Sequence, residues 1–236
     1  MQKFAHCAII IMDNGILVSK IKKQLFQDIK FMATDRKKGK YHIILASASP
    51  RRREILTSMG ASFTVLSADA DESSSILDPS ALTCELAKRK ARVALDELIR
   101  RGEADGAIII AADTVVACNG KILGKPIDRD DARRMLCMLS GNTHEVATGI
   151  AIAHKGEIYT DCSLTHVSVD DIPESQMEAY IASGECDDKA GAYGIQGSFS
   201  RWISGIDGCY FGVVGLPVNL LSKLFYSVVG CYPDEL

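Results

Sequence analysis

The seven residues Ser47-Ala48-Ser49-Pro50-Arg51-Arg52-Arg53 follow the apolar run Ile43 to Ala46 and precede a helix-like stretch, Glu54 to Met59. A small polar loop between a strand and a helix leaves the N–H groups of the helix start free, and such ends attract anions. Ser49 suits the N-cap and Pro50 the first helical position, which sets the loop geometry. Arginines in the first turn oppose the helix dipole, so a bound anion would offset them. The chemistry that suits this pattern is the cradling of a phosphate, and the plainer alternative is a solvated basic face.

Three further places hold residues that do not suit their surroundings. Asp113 interrupts the run Ile108 to Val116, a strand flanked by apolar residues, and a buried carboxylate requires a partner or a task. It either accepts backbone hydrogen bonds at a strand end or serves as a metal ligand or general base. Across a hairpin turning on Asn119-Gly120, position 118 faces 121, which sets Thr114 against Lys125 and brings Asp113 and Lys125 to one end. A regular ladder places those two side chains on opposite faces, and Gly124 offers the bend that would re-aim the lysine. Lys90 falls among Leu82, Val93, Leu86, Ala94, Ala87 and Leu98 on one half of a helical wheel for residues 79–101, with Glu97 at the exposed end of that arc. Either its stem packs while the ammonium reaches water, or the ammonium points into a cleft at a phosphate. Finally, Asp188 to Gly197 combines three glycines with Lys189, Tyr193 and Gln196. Such glycines permit close approach of backbone to a ligand, and Gln196 is able to read a base edge or hold a water. His144-Glu145 suggests acid–base work, but a surface pair near a strand start explains it more simply.

The elements that must position these residues alternate between strand-like and helix-like from Tyr41 onward, which predicts an α/β domain. A strand over 42–46 feeds a helix over 50–59 closed by Gly60, and a short strand over 62–66 leads to the acidic loop Asp69 to Glu72. Asp78-Pro79 opens a helix to Arg101 that stops at Gly102. A strand over 107–116, the Asn119-Gly120 turn and a return strand over 121–123 form a hairpin. A helix over 129–139 precedes a second hairpin, 146–154 with 157–169 around Lys155-Gly156. Pro173 opens a helix to residue 183, loops and short strands fill 187–215, and Pro217 begins the last helix.

The chain has 236 residues and a formal net charge of −3, which suits one sizeable core and argues against a nucleic-acid coat protein. Eight cysteines (7, 84, 118, 137, 162, 186, 209 and 231) include no C-x-x-C pair, so zinc is not expected and buried, reduced thiols are. Phe4 to Met12 is apolar but too short to span a bilayer, and no small-residue cleavage site follows it. Residues 1–40 read as an N-terminal extension, with Met32 a candidate natural start, residues 41–230 as the domain and 231–236 as a tail.

Taken together these motifs resemble the Maf-type nucleoside triphosphate pyrophosphatases, also called septum formation inhibitor Maf-like proteins. The resemblance runs from about Ile43 to Leu224 and rests on Ser47 to Arg52, Asp71-Glu72, Leu86 to Ala91, Ala112 to Val116, Gly124-Lys125-Pro126, Ser140 to His144, Asp188 to Gly197 and Gly215-Leu216-Pro217. It implies a mixed central sheet with flanking helices and a deep cleft, related to the inosine triphosphate pyrophosphatases, commonly as a homodimer; the expected reduced thiols suit the cytoplasm. It implies hydrolysis of a nucleoside triphosphate to the monophosphate and pyrophosphate with Mg²⁺, or another divalent ion such as Mn²⁺ or Co²⁺. On that footing Ser47, Arg51, Arg52, Lys90 and Lys125 would bind phosphates. Glu72 would help hold the metal, Asp113 would be the catalytic carboxylate and also touch the metal, and Gln196 would complete a catalytic set with Asp113 and Lys125. Arg51-Arg52 after Pro50, with Tyr193 to Gly197, looks like the branch acting on dTTP and UTP. The alternatives are the sister branch acting on 7-methyl-GTP and a non-enzymatic nucleotide-binding regulator of cell division. Neither a nucleic acid nor a membrane is expected as a partner.

Overall fold

A computed structural model describes residues 41–67 and 69–236. The extension 1–40, with Cys7, the apolar run 4–12 and Met32, lies outside the described residues.

Strand β1 (His42–Leu45) pairs in parallel with β2 (Phe63–Val65) and with β3 (Ala107–Cys118). Helix α1 (Pro50–Ser58) connects β1 to β2, and α2 (Pro79–Arg101) connects β2 to β3. The hairpin strand β4 (Lys121–Leu123) returns along β3, followed by α3 (Arg129–Leu139). Strand β5 (Thr143–His154) pairs antiparallel with β3 and with β6 (Glu157–Val169). Helix α4 (Glu174–Ala182) follows, then β7 (Ile203–Asp207) at the edge of β6, α5 (Tyr210–Val214) and α6 (Val218–Val229). The sheet is therefore mixed, with seven strands in the order β2-β1-β3-β5-β6-β7 and β4 on the edge of β3.

Caps and turns explain the element ends. Ser49 and Asp78 accept from the backbone N–H groups of Arg52 and Ala81 at the starts of α1 and α2, each followed by proline. Gly102 closes α2 in the left-handed conformation at φ 73°. Asn119 and Gly120 both have positive φ, as do Lys155 and Gly156, which is the backbone that a two-residue hairpin turn demands.

Both sheet faces are covered, so β3 is apolar along nearly its whole length rather than alternating. Ile108, Ile110 and Ala112 pack with α1, α3, α4 and α6, whereas Ile109 and Ala111 pack beneath α2. Helix α2 lies so close to β5 that a Cβ on Gly149 would come within 2.3 Å of the Thr83 carbonyl carbon. Residue 93 departs from the helical-wheel expectation: Val93 is 38% exposed, while Thr83 and Ala91 are buried instead. Strand β5 starts three residues before the expected position because Thr143 and His144 continue the ladder opposite Ser168 and Val167. Near the end of the chain Cys231 and Pro233 are buried.

Candidate active site

Strand β1 ends its pairing with β3 at Leu45 opposite Ile110, and β4 takes up the same edge only at Leu123 opposite Val116. Five residues of β3, Ala111 to Val115, thus have an open edge in the middle of the sheet. The chain leaves β1 into Ser47 on one side of this notch and leaves β4 into Gly124-Lys125 on the other. Sites beyond the carboxyl ends of parallel strands are where α/β sheets receive ligands.

Because side chains alternate along a strand, the notch presents Asp113 on the α2 face and Thr114 on the opposite one. Asp113 is 7% exposed. Its Oδ1 accepts from Lys90 Nζ at 2.5 Å, and the same ammonium donates to Glu72 Oε1 at 2.8 Å. Lys90 therefore neither snorkels to bulk water nor stands free: a buried stem delivers its charge to two carboxylates, leaving one of three N–H donors unspent among the described residues. No described residue engages Asp113 Oδ2. The Lys90 hydrogen bond pulls the Glu72 pKa below the usual carboxylate value, with the charges of Lys125 and Arg52 adding to the fall against desolvation.

On the other face Arg52 is fastened at three points. Its Nε donates to Gly215 O at 2.8 Å, Nη1 to Ser47 Oγ at 3.3 Å and Nη2 to Thr114 Oγ1 at 3.1 Å. Among the described residues one N–H on each terminal nitrogen stays unspent, the pair with which a guanidinium grips an oxyanion. Burial lowers the Arg52 pKa, the Asp113 charge opposing it and the Arg51 charge adding to it. Arg51 is half-buried and its charge is felt by Asp188, so it faces the 188–197 loop, while Arg53 is exposed.

The remaining expected residues are less tightly gathered. The β3–β4 ladder stops before Thr114 and Lys125 come opposite each other, so Lys125 is exposed and reaches the cluster through its effect on Glu72. Gln196 is exposed. The glycines around it answer to protein neighbours: a Cβ on Gly191 would meet Val116 at 2.9 Å, and one on Gly197 would meet Glu185 Oε1 at 1.8 Å. His144 departs from the surface-pair reading. It is 1% exposed, bonded through Nε2 to Tyr193 Oη at 2.8 Å, and burial pushes its pKa down to about 4. Of the seven described cysteines only Cys118, Cys186 and Cys231 are buried, and Cys137 is exposed. A separate cavity of about 300 Å³, lined by Leu77, Ile122, Glu145 and His166 among others, shares none of the clustered residues.

Among the described residues no group of three or more His, Cys, Asp or Glu side chains is placed to hold a metal ion. Asp113 and Glu72 nevertheless converge on one cation, Lys90. Two carboxylates, with phosphate oxygens and waters supplying the rest, are what Mg²⁺ ordinarily requires of a protein that binds a nucleotide.

Comparison with known proteins settles the kinship: a family model for Maf-like proteins matches residues 42–228. The chain belongs to the Maf family. A relative from Thermococcus kodakarensis named dTTP/UTP pyrophosphatase is 46% identical over 182 residues, covering 77% of this chain and 94% of the relative. One of the same name from Agathobacter rectalis is 46% identical over 191 residues, covering 76% and 93%. Another from Clostridium acetobutylicum is 45% identical over 193 residues, covering 79% and 97%. In this Maf chain the motifs alone do not foresee Thr114 and Gly215 as partners of Arg52, nor Thr148 as the partner of Thr114. The one signal for Thr148 was a hydroxyl inside the apolar run Val146 to Ile152.

Proposed function

We propose that this Maf-family chain hydrolyses dTTP and UTP to the monophosphate and pyrophosphate. The observation that carries the reading is the notch in β3, flanked by a carboxylate with one oxygen, and by an anchored guanidinium with two N–H groups, that no described residue engages. The names of the relatives supply the pyrimidine preference and favour it over 7-methyl-GTP. Hydrolysis with pyrophosphate as leaving group places water on the α-phosphorus. Asp113 Oδ2 accepts the proton of that water, while Lys90 holds Oδ1 and so fixes the carboxylate plane. Arg52, with Ser47 and Arg51 beside it, binds non-bridging phosphate oxygens, and charge that grows on them in the transition state is met by donors already in place. Lys125 binds from the β4 side, and Gln196 closes the site from the glycine-rich loop. Asp113 and Glu72 would hold a divalent cation, which when bound would neutralise phosphate charge and make water more acidic. We place the reaction in a reducing compartment such as the cytoplasm, a reading supported by the free thiols of Cys84, Cys118, Cys137, Cys162, Cys186 and Cys209.

Turnover of dTTP in ¹⁸O-water tests the site of attack. The reading expects the label in dTMP, and label in pyrophosphate would overturn it.

A further inference from the structure

Thr148 is fully buried on β5. It donates to Gly212 O at 2.8 Å and lies 2.9 Å from Thr114 Oγ1, which in turn is 3.1 Å from Arg52 Nη2. Every direction in this chain is determined. A carbonyl only accepts, so Gly212 takes the single Thr148 proton. Thr148 can then only accept from Thr114, and a guanidinium only donates, so Thr114 must accept from Arg52. The chain runs Arg52 to Thr114 to Thr148 to Gly212, with each hydroxyl turned so that its lone pair faces the arginine side.

We infer that Thr148 is a positioning residue for the reaction: it spends the Thr114 proton away from Arg52 and so keeps a lone pair aimed at Nη2. Without the Thr148 oxygen the Thr114 hydroxyl is free to rotate, and its proton can turn toward the guanidinium. One of three anchors is then lost, and the two N–H groups left for phosphate lose their fixed direction. Misdirection of a charged donor costs rate because such a donor contributes only when already aimed at the developing charge. Gly212 and Gly215 both flank this chain, so α5 and the turn after it act as the wall against which the arginine is set. The inference rests on the reading of Arg52 as a phosphate ligand.

A double-mutant cycle on the full chain tests it, reading kcat/KM for dTTP together with the melting temperature. Thr148→Val keeps the shape and removes the hydroxyl, and it is expected to lower kcat/KM about tenfold, the loss of one charge-assisted hydrogen bond. Thr148→Ser restores the hydroxyl and is expected to recover activity to within about twofold, by the same reasoning. In an Arg52→Lys background, Thr148→Val is expected to cost about twofold or less, because the group it positions is gone. Should the valine variant fail to fold, Thr148→Ala enters the same cycle. Equal losses in both backgrounds, or no loss in the parent, overturn the positioning role while the Arg52 reading stands. If Arg52→Lys itself leaves kcat/KM unchanged, the Arg52 reading falls and the inference with it.

Discussion

Lys90 and Arg52 carry the same formal charge and are held in opposite ways. The ammonium is a point charge shared between Asp113 and Glu72, while the guanidinium is fixed by three directional bonds to neutral oxygens. Lys90 can exchange partners when a cation or a phosphate arrives, and Arg52 cannot move without losing its anchors. Glu72 is the adjustable member, with a side chain 64% exposed. Glu72→Gln should therefore raise the half-saturating Mg²⁺ concentration about tenfold, as expected for loss of a carboxylate ligand, and barely change the melting temperature. An unchanged Mg²⁺ titration would remove Glu72 from the metal. At this scale the sequence announced the charges but not their anchors. Asp113 and Lys90 stood out because a charge in an apolar stretch demands a reason, whereas Thr114 and Thr148 are ordinary strand residues whose importance lies in partners 34 and 64 positions away.

At the scale of elements the site exists because β1 and β4 share one edge of β3 without meeting. Hairpin chemistry at Asn119-Gly120 and capping at Ser49, Asp78 and Gly102 made the ends of β4, α1 and α2 legible. Those signals act within a few residues along the chain. The early start of β5 and the helix α5 were not legible, because the partners that stabilise them, Ser168, Tyr193 and Thr165, are distant in sequence. Gly149 sets the height of α2 over the sheet and hence the reach of Lys90 to Asp113. Gly149→Ala would drive a methyl group into the backbone of Thr83 and Cys84. It should destabilise the protein by about 2 kcal/mol or more, read as a fall in the denaturation midpoint, because backbone cannot yield as a flexible side chain does. An unchanged midpoint would mean that α2 does not rest on β5 as described.

For the whole molecule, stability should depend on pH through a residue remote from the chemistry. Burial holds the His144 pKa at about 4 in the fold against about 6.5 in the unfolded chain. Between these values the unfolded state binds a proton that the folded state refuses. Stability is therefore complete above about pH 6.5, falls as pH drops toward 4 by up to about 3 kcal/mol, and changes no further from this source below it. Urea denaturation from pH 7 to 4 should show that slope in the parent and lose most of it in His144→Gln; parallel curves would contradict the assignment. The central claim concerns Asp113, and it is tested most directly by pyrophosphate release from dTTP, UTP, CTP, 5-methyl-UTP, GTP and 7-methyl-GTP with Mg²⁺, parent beside Asp113→Asn. The account predicts turnover of dTTP and UTP in the parent and a loss of at least about a thousandfold in a variant that remains folded, the scale of removing both the general base and a metal ligand. Turnover retained by a folded Asp113→Asn chain would contradict it.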